Sequence, residues 1–298
     1  MAFAEIVLVV ANVVYATSYV ATRLVLDHVP PATLAFLRLV LGGLALLLLM
    51  AKTGSRTRLD RADRRRVAAM GVVGFAAAFA LAHWGLARST ATNAALLIVV
   101  EPLTLLALSP LLLGERLSAR EWAGAACGLA GALLVVVNGI PTLNIGLVPH
   151  WRGDLLLVLS GMAFAAYSLL GRPVLVRHPA LSVTTRSILW GIPAMAPLAA
   201  LEWLDGRRPV LTGGAVLGTL YLAVVITALG YLLWNYALER VTAARAAVFL
   251  NVQPVVGALL GVAWLGEAAT IFTAAGGLLV VTGLLLTVRS SARPAVYS

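Results

Sequence analysis

Runs of about 20 apolar residues alternate with short polar connections along the whole chain. A helix needs roughly 20 mostly apolar residues to cross the hydrocarbon core of a membrane. The pattern therefore predicts ten spanning helices. They cover residues 4–23, 33–51, 67–87, 91–113, 119–137, 154–172, 183–204, 214–237, 243–265 and 269–288. The connections between them leave no length for a separate soluble domain.

Composition leads to the same fold class. Hydrophobic residues make up 61% of the chain, charged residues only 11%, and the mean hydropathy is +0.97. Soluble domains have about 45–50% apolar and about 25% charged residues. The first apolar run is longer than the roughly 7–15 residues of a signal-peptide core, and no basic residue precedes it. We therefore predict an all-α integral membrane protein whose first span is retained.

The basic residues predict an orientation. Seven of the 22 Lys and Arg residues lie in residues 52–66. If the N-terminus is cytoplasmic, the inner segments carry 15 Lys and Arg residues and the outer segments carry five. Because cytoplasmic loops are enriched in basic residues, both termini are predicted to be cytoplasmic. We interpret the basic segment as a topology signal, so no nucleic-acid partner is expected.

The chain also contains an internal repeat. At an offset of 152, "LARSTATNAALLIVVEP" (86–102) aligns with "LERVTAARAAVFLNVQP" (238–254). We interpret residues 1–140 as a first five-helix repeat and residues 150–298 as a second repeat with a short cytoplasmic tail, together forming one transport domain. Since five is odd, the repeats must enter the membrane from opposite sides. Inverted repeats are frequent in secondary transporters, where related halves surround a central site.

Pro102 and Pro254 occupy equivalent places in the two repeats. A proline within a helix removes one backbone hydrogen bond and kinks the axis, and in lipid this is tolerated next to neighbouring helices or a cavity. Glu101 and Gln253 precede these prolines near the middle of their spans, where polar side chains are costly and usually face the bundle interior. The fourth and ninth helices are therefore predicted to line a cavity, with kinks at the two prolines.

Charged residues within the spans have functional and structural interpretations. Glu101 is a candidate proton-coupling group or partner for a substrate amine; alternatively, it forms a structural ion pair or hydrogen bond. Arg38 and Arg186 occupy equivalent places in the second and seventh spans. They are candidates for binding a substrate carboxylate, because Arg matches its geometry. The alternative is that both side chains extend to lipid head groups.

Aromatic residues recur in spans that should face the centre. They are candidates for stacking on substrate or holding an ammonium group, against the alternative of an interfacial belt or core packing. These residues are Tyr15, Tyr19, Trp84, Phe164, Tyr167, Trp190, Tyr231, Trp234 and Tyr236. His83 and its repeat counterpart Asn235 are candidates for hydrogen bonding at the mouth of the cavity, or are simply satisfied polar residues.

Other motifs indicate architecture. Glu115 and Glu267 each follow a glycine that ends a predicted helix, so we expect an architectural role for them. Two glycine pairs at a spacing of four allow close helix packing, within the bundle or in a dimer. These pairs are Gly124/Gly128 and Gly257/Gly261.

The sequence predicts no cofactor. The one lysine, Lys52, lies in the basic segment, so the chain has no Walker phosphate-binding motif. No His-Glu-x-x-His or comparable metal-binding set is present. Transport would then depend on the gradient of the substrate, on exchange, or on protons.

The motifs resemble those of EamA-type ten-helix exporters in the drug/metabolite transporter superfamily. The fourth span ends with Pro102 followed by "LGERLS" (113–118), and the second repeat has Pro254 followed by "LGEA" (265–268). The repeat openings "YATSY" and "FAAYS" are also similar. The resemblance implies a transporter of a bacterial cytoplasmic membrane, usually an exporter of amino acids or other small metabolites. It also implies a central cavity walled by the first four helices of each repeat.

We therefore predict a secondary active or facilitative transporter, not an enzyme, that works by alternating access and exports small metabolites such as amino acids. Its expected partners are a small-molecule substrate, membrane lipid and protons, and it would act as a monomer or homodimer. One alternative is an intramembrane lipid-modifying enzyme, which would need catalytic polar residues clustered at one depth. Another is a channel or structural membrane subunit.

Overall fold

The computed structural model describes residues 2–55, 57–113, 119–138, 150–241, 246, 249–250, 252–267 and 270–291. These residues are mostly helical, and no β-strand occurs among them. The principal helices are α1 (Ala2–Leu26), α2 (Pro31–Thr53), α3 (Arg61–Leu86), α4 (Ala91–Leu97), α5 (Val100–Leu113), α6 (Ala119–Asn138), α7 (Trp151–Leu175), α8 (Ala180–Leu204), α9 (Gly213–Arg240), α10 (Val252–Leu265) and α11 (Ile271–Ser291). Six of them, α1, α2, α3, α7, α8 and α9, are long and apolar enough to cross a membrane.

Each predicted span overlaps one of these helices, with two differences. Helix α3 begins at Arg61 rather than at residue 67, because Asp60 caps a polar first turn. Its carboxylate accepts the backbone N–H of Asp63 at 2.7 Å, and this hydrogen bond lowers the pKa of Asp60. The predicted span 91–113 is interrupted and forms α4 and α5.

The interruption lies at Ile98 and Val99, just before Pro102. A proline ring collides with the carbonyl four residues earlier, which here belongs to Ile98, and proline has no N–H to donate to it. The Ile98 carbonyl instead accepts the N–H of Glu101 at 2.9 Å, and the Val99 carbonyl accepts that of Leu103 at 3.2 Å. Glu101 therefore lies in the first turn of a new helix. In the second repeat, Pro254 lies in the first turn of α10.

The packing of the helices has the same symmetry as the repeat. If each helix is replaced by its counterpart in the other half, the same packed pairs result. Helix α2 packs on α8, and α6 packs on α11. The pairing of α3 with α7 is matched by the pairing of α9 with α1. Each of α3 and α9 contains a π-helical segment, Met70–Ala77 and Tyr221–Gly230 respectively. When the first segment is shifted by the repeat offset of 152, it falls within the second. The two halves therefore share a backbone feature that is uncommon in proteins.

The paired glycines lie in contacts within the bundle. A Cβ atom added to Gly283 in α11 would lie 2.5 Å from the carbonyl oxygen of Gly124 and 2.6 Å from the backbone nitrogen of Gly128, both in α6. A Cβ atom added to Gly257 in α10 would lie 3.0 Å from the ring of Tyr19 in α1. Glycine at these positions allows the close helix approach that membrane bundles use.

A buried carboxylate holds the start of α2. Glu202, near the end of α8, is only 1% exposed. It accepts the backbone N–H groups of Ala32 at 3.1 Å and Thr33 at 2.8 Å, together with the Thr33 hydroxyl at 3.0 Å. The first N–H groups of a helix have no partner within the helix, and the positive end of its dipole favours an anion. Glu202 therefore ties α2 to α8.

Two further carboxylates hold α4. Glu267, just after α10, accepts the N–H groups of Ala91 and Thr92, each at 2.7 Å. Asp154, in the first turn of α7, is fully buried; it accepts the amide of Asn93 at 3.2 Å and also the hydroxyl of Ser89. The sequence analysis identified only Glu267 of these carboxylates. Glu115, its repeat counterpart, lies outside the described residues.

Candidate substrate cavity

A cavity lies at the centre of the bundle, between helices of both repeats. Its volume is about 110 Å³, which is space for several water molecules. Residues of α1, α2, α3, α4, α5, α7, α9 and α10 line it. Ten of the fifteen candidate residues named from the sequence are among them: Tyr15, Tyr19, Arg38, His83, Glu101, Phe164, Tyr167, Tyr231, Trp234 and Gln253.

Arg38 supplies a buried positive charge. It is 6% exposed, and it donates to His83 at 2.9 Å and to the Thr227 hydroxyl at 3.1 Å. Its guanidinium carbon also lies 4.5 Å from the centre of the Phe79 ring. Because arginine can only donate, Nε2 of His83 must be the acceptor, so the imidazole is neutral. Arg38 is therefore fixed in orientation while its charge is not neutralised by these contacts.

Glu101 supplies a buried carboxylate. It is 7% exposed, and the described residues contribute no hydrogen bond or ion pair to its side chain. It lines the same cavity as Arg38, yet no salt bridge joins the two. An uncompensated charge in an apolar interior is costly. The cavity therefore presents a cationic guanidinium and a carboxyl group that a ligand can reach.

Gln253, the repeat counterpart of Glu101, forms hydrogen bonds through both its oxygen and its amide nitrogen. Its oxygen accepts the Tyr19 hydroxyl at 2.8 Å, and its amide donates to Asn12 at 2.7 Å. The Asn12 amide in turn donates to the Leu8 carbonyl at 2.7 Å. This chain of hydrogen bonds joins α10 to α1. The two equivalent positions therefore have different surroundings.

Aromatic rings form much of the wall, and Tyr231 is at their centre. Its ring lies between 4.8 and 6.4 Å, measured between centroids, from five other rings. Four of these rings, those of Tyr15, Phe79, Phe164 and Tyr167, line the cavity, and the fifth belongs to Phe75, which does not line it. Such a wall suits apolar groups and also attracts cations to its ring faces.

Two hydroxyl groups at the cavity have no partner among the described residues. They belong to Tyr15 and Ser168, and both oxygens are buried. Buried polar groups are nearly always hydrogen-bonded in folded proteins. These hydroxyls can therefore bond a ligand or water that enters the cavity.

Five candidate residues, Trp190 and Tyr236 among them, do not line this cavity. Trp84 donates to Glu202 at 3.4 Å, near the start of α2. Arg186 lines a separate pocket, where it donates to the Thr57 carbonyl at 2.5 Å. Asn235 does not line the cavity but contacts a residue that does. Its amide donates to the hydroxyl of the lining residue Tyr167 at 2.6 Å and to that of Thr184 at 2.7 Å.

Several cavity residues were not identified from the sequence. Most of them are aliphatic, and the others are three small hydroxyl residues and one aromatic ring: Ser18, Thr22, Ser168 and Phe79. Ser18 and Thr22 follow Tyr15 and Tyr19 at helical spacing, so a helical-face argument from Tyr15 could have identified them. Among the described residues there is no group of three or more His, Cys, Asp or Glu side chains suited to a metal ion.

The sequence model of the EamA-like transporter family matches residues 2–137 and again residues 151–289. This chain belongs to the EamA-like transporter family. The resemblance drawn from the motifs is thereby confirmed. The family model matches once in each half of the chain. Since six of the helices are long and apolar enough to cross a membrane, the chain is a multi-pass membrane transporter.

Relatives of this EamA-like chain are transporters of similar length. A probable terminal-alkyne amino-acid exporter of Streptantibioticus cattleyicolor is 28% identical, over 94% of this chain and 91% of its own. A probable amino-acid metabolite efflux pump of Salmonella typhimurium is 25% identical, over 93% and 91% respectively. A crystal structure covering 99% of both chains matches with a TM-score of 0.70 at 22% identity, which shows a shared fold.

Proposed function

We propose that this protein is a secondary transporter that exports zwitterionic small metabolites, in the first place amino acids, across the bacterial cytoplasmic membrane. The observation that carries this proposal is the presence of Arg38 and Glu101 in one buried cavity with no salt bridge between them. An α-amino acid carries one carboxylate and one ammonium group. Each would meet an opposite charge in this cavity.

The chemistry of the lining residues suits such a substrate. Arg38 has N–H donors arranged as a fork that matches a carboxylate, and its contacts with His83 and Thr227 hold that fork in place. Glu101 can accept hydrogen bonds from an ammonium group. The aromatic rings around Tyr231 would contact an apolar side chain. A zwitterion would compensate both buried charges at once, whereas a singly charged analogue would leave one uncompensated.

Alternating access between two inverted five-helix halves explains the symmetry of the chain. Three observations support two related halves: the family match in each half, the exchangeable packing pairs, and the equivalent π-helical segments. In such transporters one half moves against the other around a central site. With both termini in the cytoplasm, the basic residues 52–66 would lie on the cytoplasmic side. The names of the two relatives above support export as the direction.

The test is counterflow of radiolabelled compounds in proteoliposomes. For each amino acid that native protein transports, its decarboxylated amine and its deaminated acid are measured in parallel. We expect transport of the zwitterion alone. Replacing Arg38→Gln or Glu101→Gln should lower zwitterion affinity by roughly 10- to 100-fold, the value of a charge-assisted hydrogen bond.

Matched controls neutralise charges outside the cavity. Arg152→Gln removes an exposed arginine that lies over Trp151, and Glu239→Gln removes a partly exposed carboxylate paired with Arg240. Both control variants should retain native affinity. Equal transport of amino acid, amine and acid by native protein would contradict the zwitterion proposal, as would native affinity in both cavity variants.

A further inference from the structure

A second pocket, away from the substrate cavity, is lined by three arginines. Arg58 precedes α3, Arg64 lies in its first turn, and Arg186 lies in α8. Its volume is about 420 Å³. The pocket therefore joins a loop and helix of the first repeat to a helix of the second.

The pocket has an excess of positive charge. The described residues provide no ion pair to Arg58, Arg64 or Arg186, and none of the residues lining the pocket is a carboxylate. Arg186 uses one N–H group on the Thr57 carbonyl. A guanidinium has five N–H groups, so others remain to bind an anion.

The nearest acidic residues are already engaged. Asp63 is buried and pairs with Arg177 at 2.5 Å and with His178 at 2.8 Å. Asp60 is exposed and lies 3.9 Å from the same arginine. These contacts leave the three pocket arginines without a neutralising partner, which favours a phosphate group as ligand.

The rest of the pocket wall is apolar. Leu59, Leu189 and Trp190 line it beside the arginines, and Trp190 is 46% exposed. Arg186 is six residues from the start of α8, which is about 9 Å along a helix with a rise of about 1.5 Å per residue. An exposed tryptophan near arginines at that depth is typical of the membrane interface.

We propose that this pocket binds the phosphodiester headgroup of an anionic phospholipid, with the glycerol and upper acyl chain against Trp190 and the leucines. Basic pockets between helices on the cytoplasmic side of membrane proteins bind anionic headgroups. Free phosphate shares the anionic chemistry but would leave the apolar wall unused. The proposal is independent of the substrate of the central cavity, because it concerns different residues.

The experiment is native mass spectrometry of the full-length protein, delipidated in mild detergent and titrated with phosphatidylglycerol. Parallel titrations use phosphatidylcholine, and inorganic phosphate is followed by its effect on the apparent Tm. We expect saturable binding of phosphatidylglycerol, weaker binding of phosphatidylcholine, and no effect of phosphate at equal concentration. The double variant Arg58→Gln/Arg64→Gln should bind phosphatidylglycerol roughly 30-fold more weakly, which is about fivefold for each charge lost.

The control is the double variant Arg61→Gln/Arg65→Gln. It removes the same charge from the same segment, but these two arginines do not line the pocket. It should bind phosphatidylglycerol within about twofold of native protein. An equal loss in both double variants would mean diffuse electrostatic attraction and would overturn the proposal. Native binding in the pocket variant would also overturn it, and so would equal stabilisation by inorganic phosphate.

A spectroscopic measurement checks the location. Phosphatidylglycerol with brominated acyl chains quenches nearby tryptophan fluorescence, and the contribution of Trp190 is obtained by comparison with the Trp190→Phe variant. We expect this contribution to be quenched in native protein and retained in Arg58→Gln/Arg64→Gln. Equal quenching in both proteins would place the lipid elsewhere and contradict the assignment.

Discussion

Glu101 and Gln253 occupy equivalent positions, but only the glutamine is held by hydrogen bonds on both sides. A carboxylate that reaches a transport cavity without a fixed partner can take up and release a proton during the transport cycle. An amide cannot titrate. We infer that proton coupling in this transporter depends on Glu101 and not on Gln253.

The first prediction concerns Glu101→Gln in proteoliposomes with an imposed pH gradient. At saturating substrate, flux driven by the gradient should be lost, while exchange of substrate across the membrane is retained. The Glu239→Gln variant should keep both activities. Gradient-driven flux at the native level in a folded Glu101→Gln protein would exclude proton coupling through this residue.

Sequence reasoning located most of the cavity but not all of it. Ten of the fifteen candidate residues line it, because polar and aromatic residues in apolar spans tend to face the bundle interior. Arg186 is the repeat counterpart of Arg38, yet it lines the separate pocket that also contains Arg58 and Arg64. The sequence does not fix the rotation of each helix, and two repeats with different side chains need not build a symmetric site. The same limit applies to Trp84 and Asn235.

At the scale of helices, the buried cap at the start of α2 can be tested with Glu202→Gln. Glutamine keeps one acceptor oxygen but places an N–H₂ group against backbone N–H donors of Ala32 and Thr33. We expect a loss of about 1–2 kcal/mol in stability, seen as a lower apparent Tm in detergent. The neighbouring Asp205→Asn changes an exposed carboxylate and should cost less than about 0.5 kcal/mol. Equal Tm shifts in the two variants would argue against the cap.

Close packing of α10 against α1 and α4 gives another prediction. In Gly257→Ala the new methyl carbon would lie 2.5 Å from the Cβ of Ala95 and 3.0 Å from the Tyr19 ring, so the helices must separate. We expect a loss of about 1–3 kcal/mol in stability, as for other overpacked sites. At Gly213 no atom lies within 4 Å of an added Cβ, so Gly213→Ala should retain or raise the apparent Tm. A Tm for Gly257→Ala equal to that of Gly213→Ala would contradict close packing here.

Helix positions were predictable because spanning helices are apolar and of similar length, and the described helices overlap every predicted span. The interruption at Ile98 and Val99 follows from Pro102, but sequence alone did not show whether the chain would bend or start a new helix. The caps formed by Glu202 and Asp154 depend on contacts between distant segments. Tertiary contacts of this kind have no local sequence signal.

At the scale of the whole molecule, Arg88 and Arg240 can show whether the two halves have opposite orientations in the membrane. They align at the offset of 152, at the ends of α3 and α9. Each donates to the carbonyl four residues earlier, of Trp84 and Tyr236 respectively, at 2.9 Å. Both side chains are exposed, and Arg240 also pairs with Glu239 at 3.0 Å. If the repeats are inverted, these two matching positions must lie on opposite sides of the membrane.

The variants Arg88→Cys and Arg240→Cys test this arrangement in a Cys127→Ala background, which removes the native thiol. A membrane-impermeant maleimide should label Arg88→Cys in intact cells, since more basic residues lie on the side of Arg240. It should label Arg240→Cys only after permeabilisation, while both variants react in detergent. Labelling of both cysteines from one side would contradict inversion of the repeats. The opposite pattern would retain inversion but reverse the predicted orientation, because equivalent sites would still lie on opposite faces.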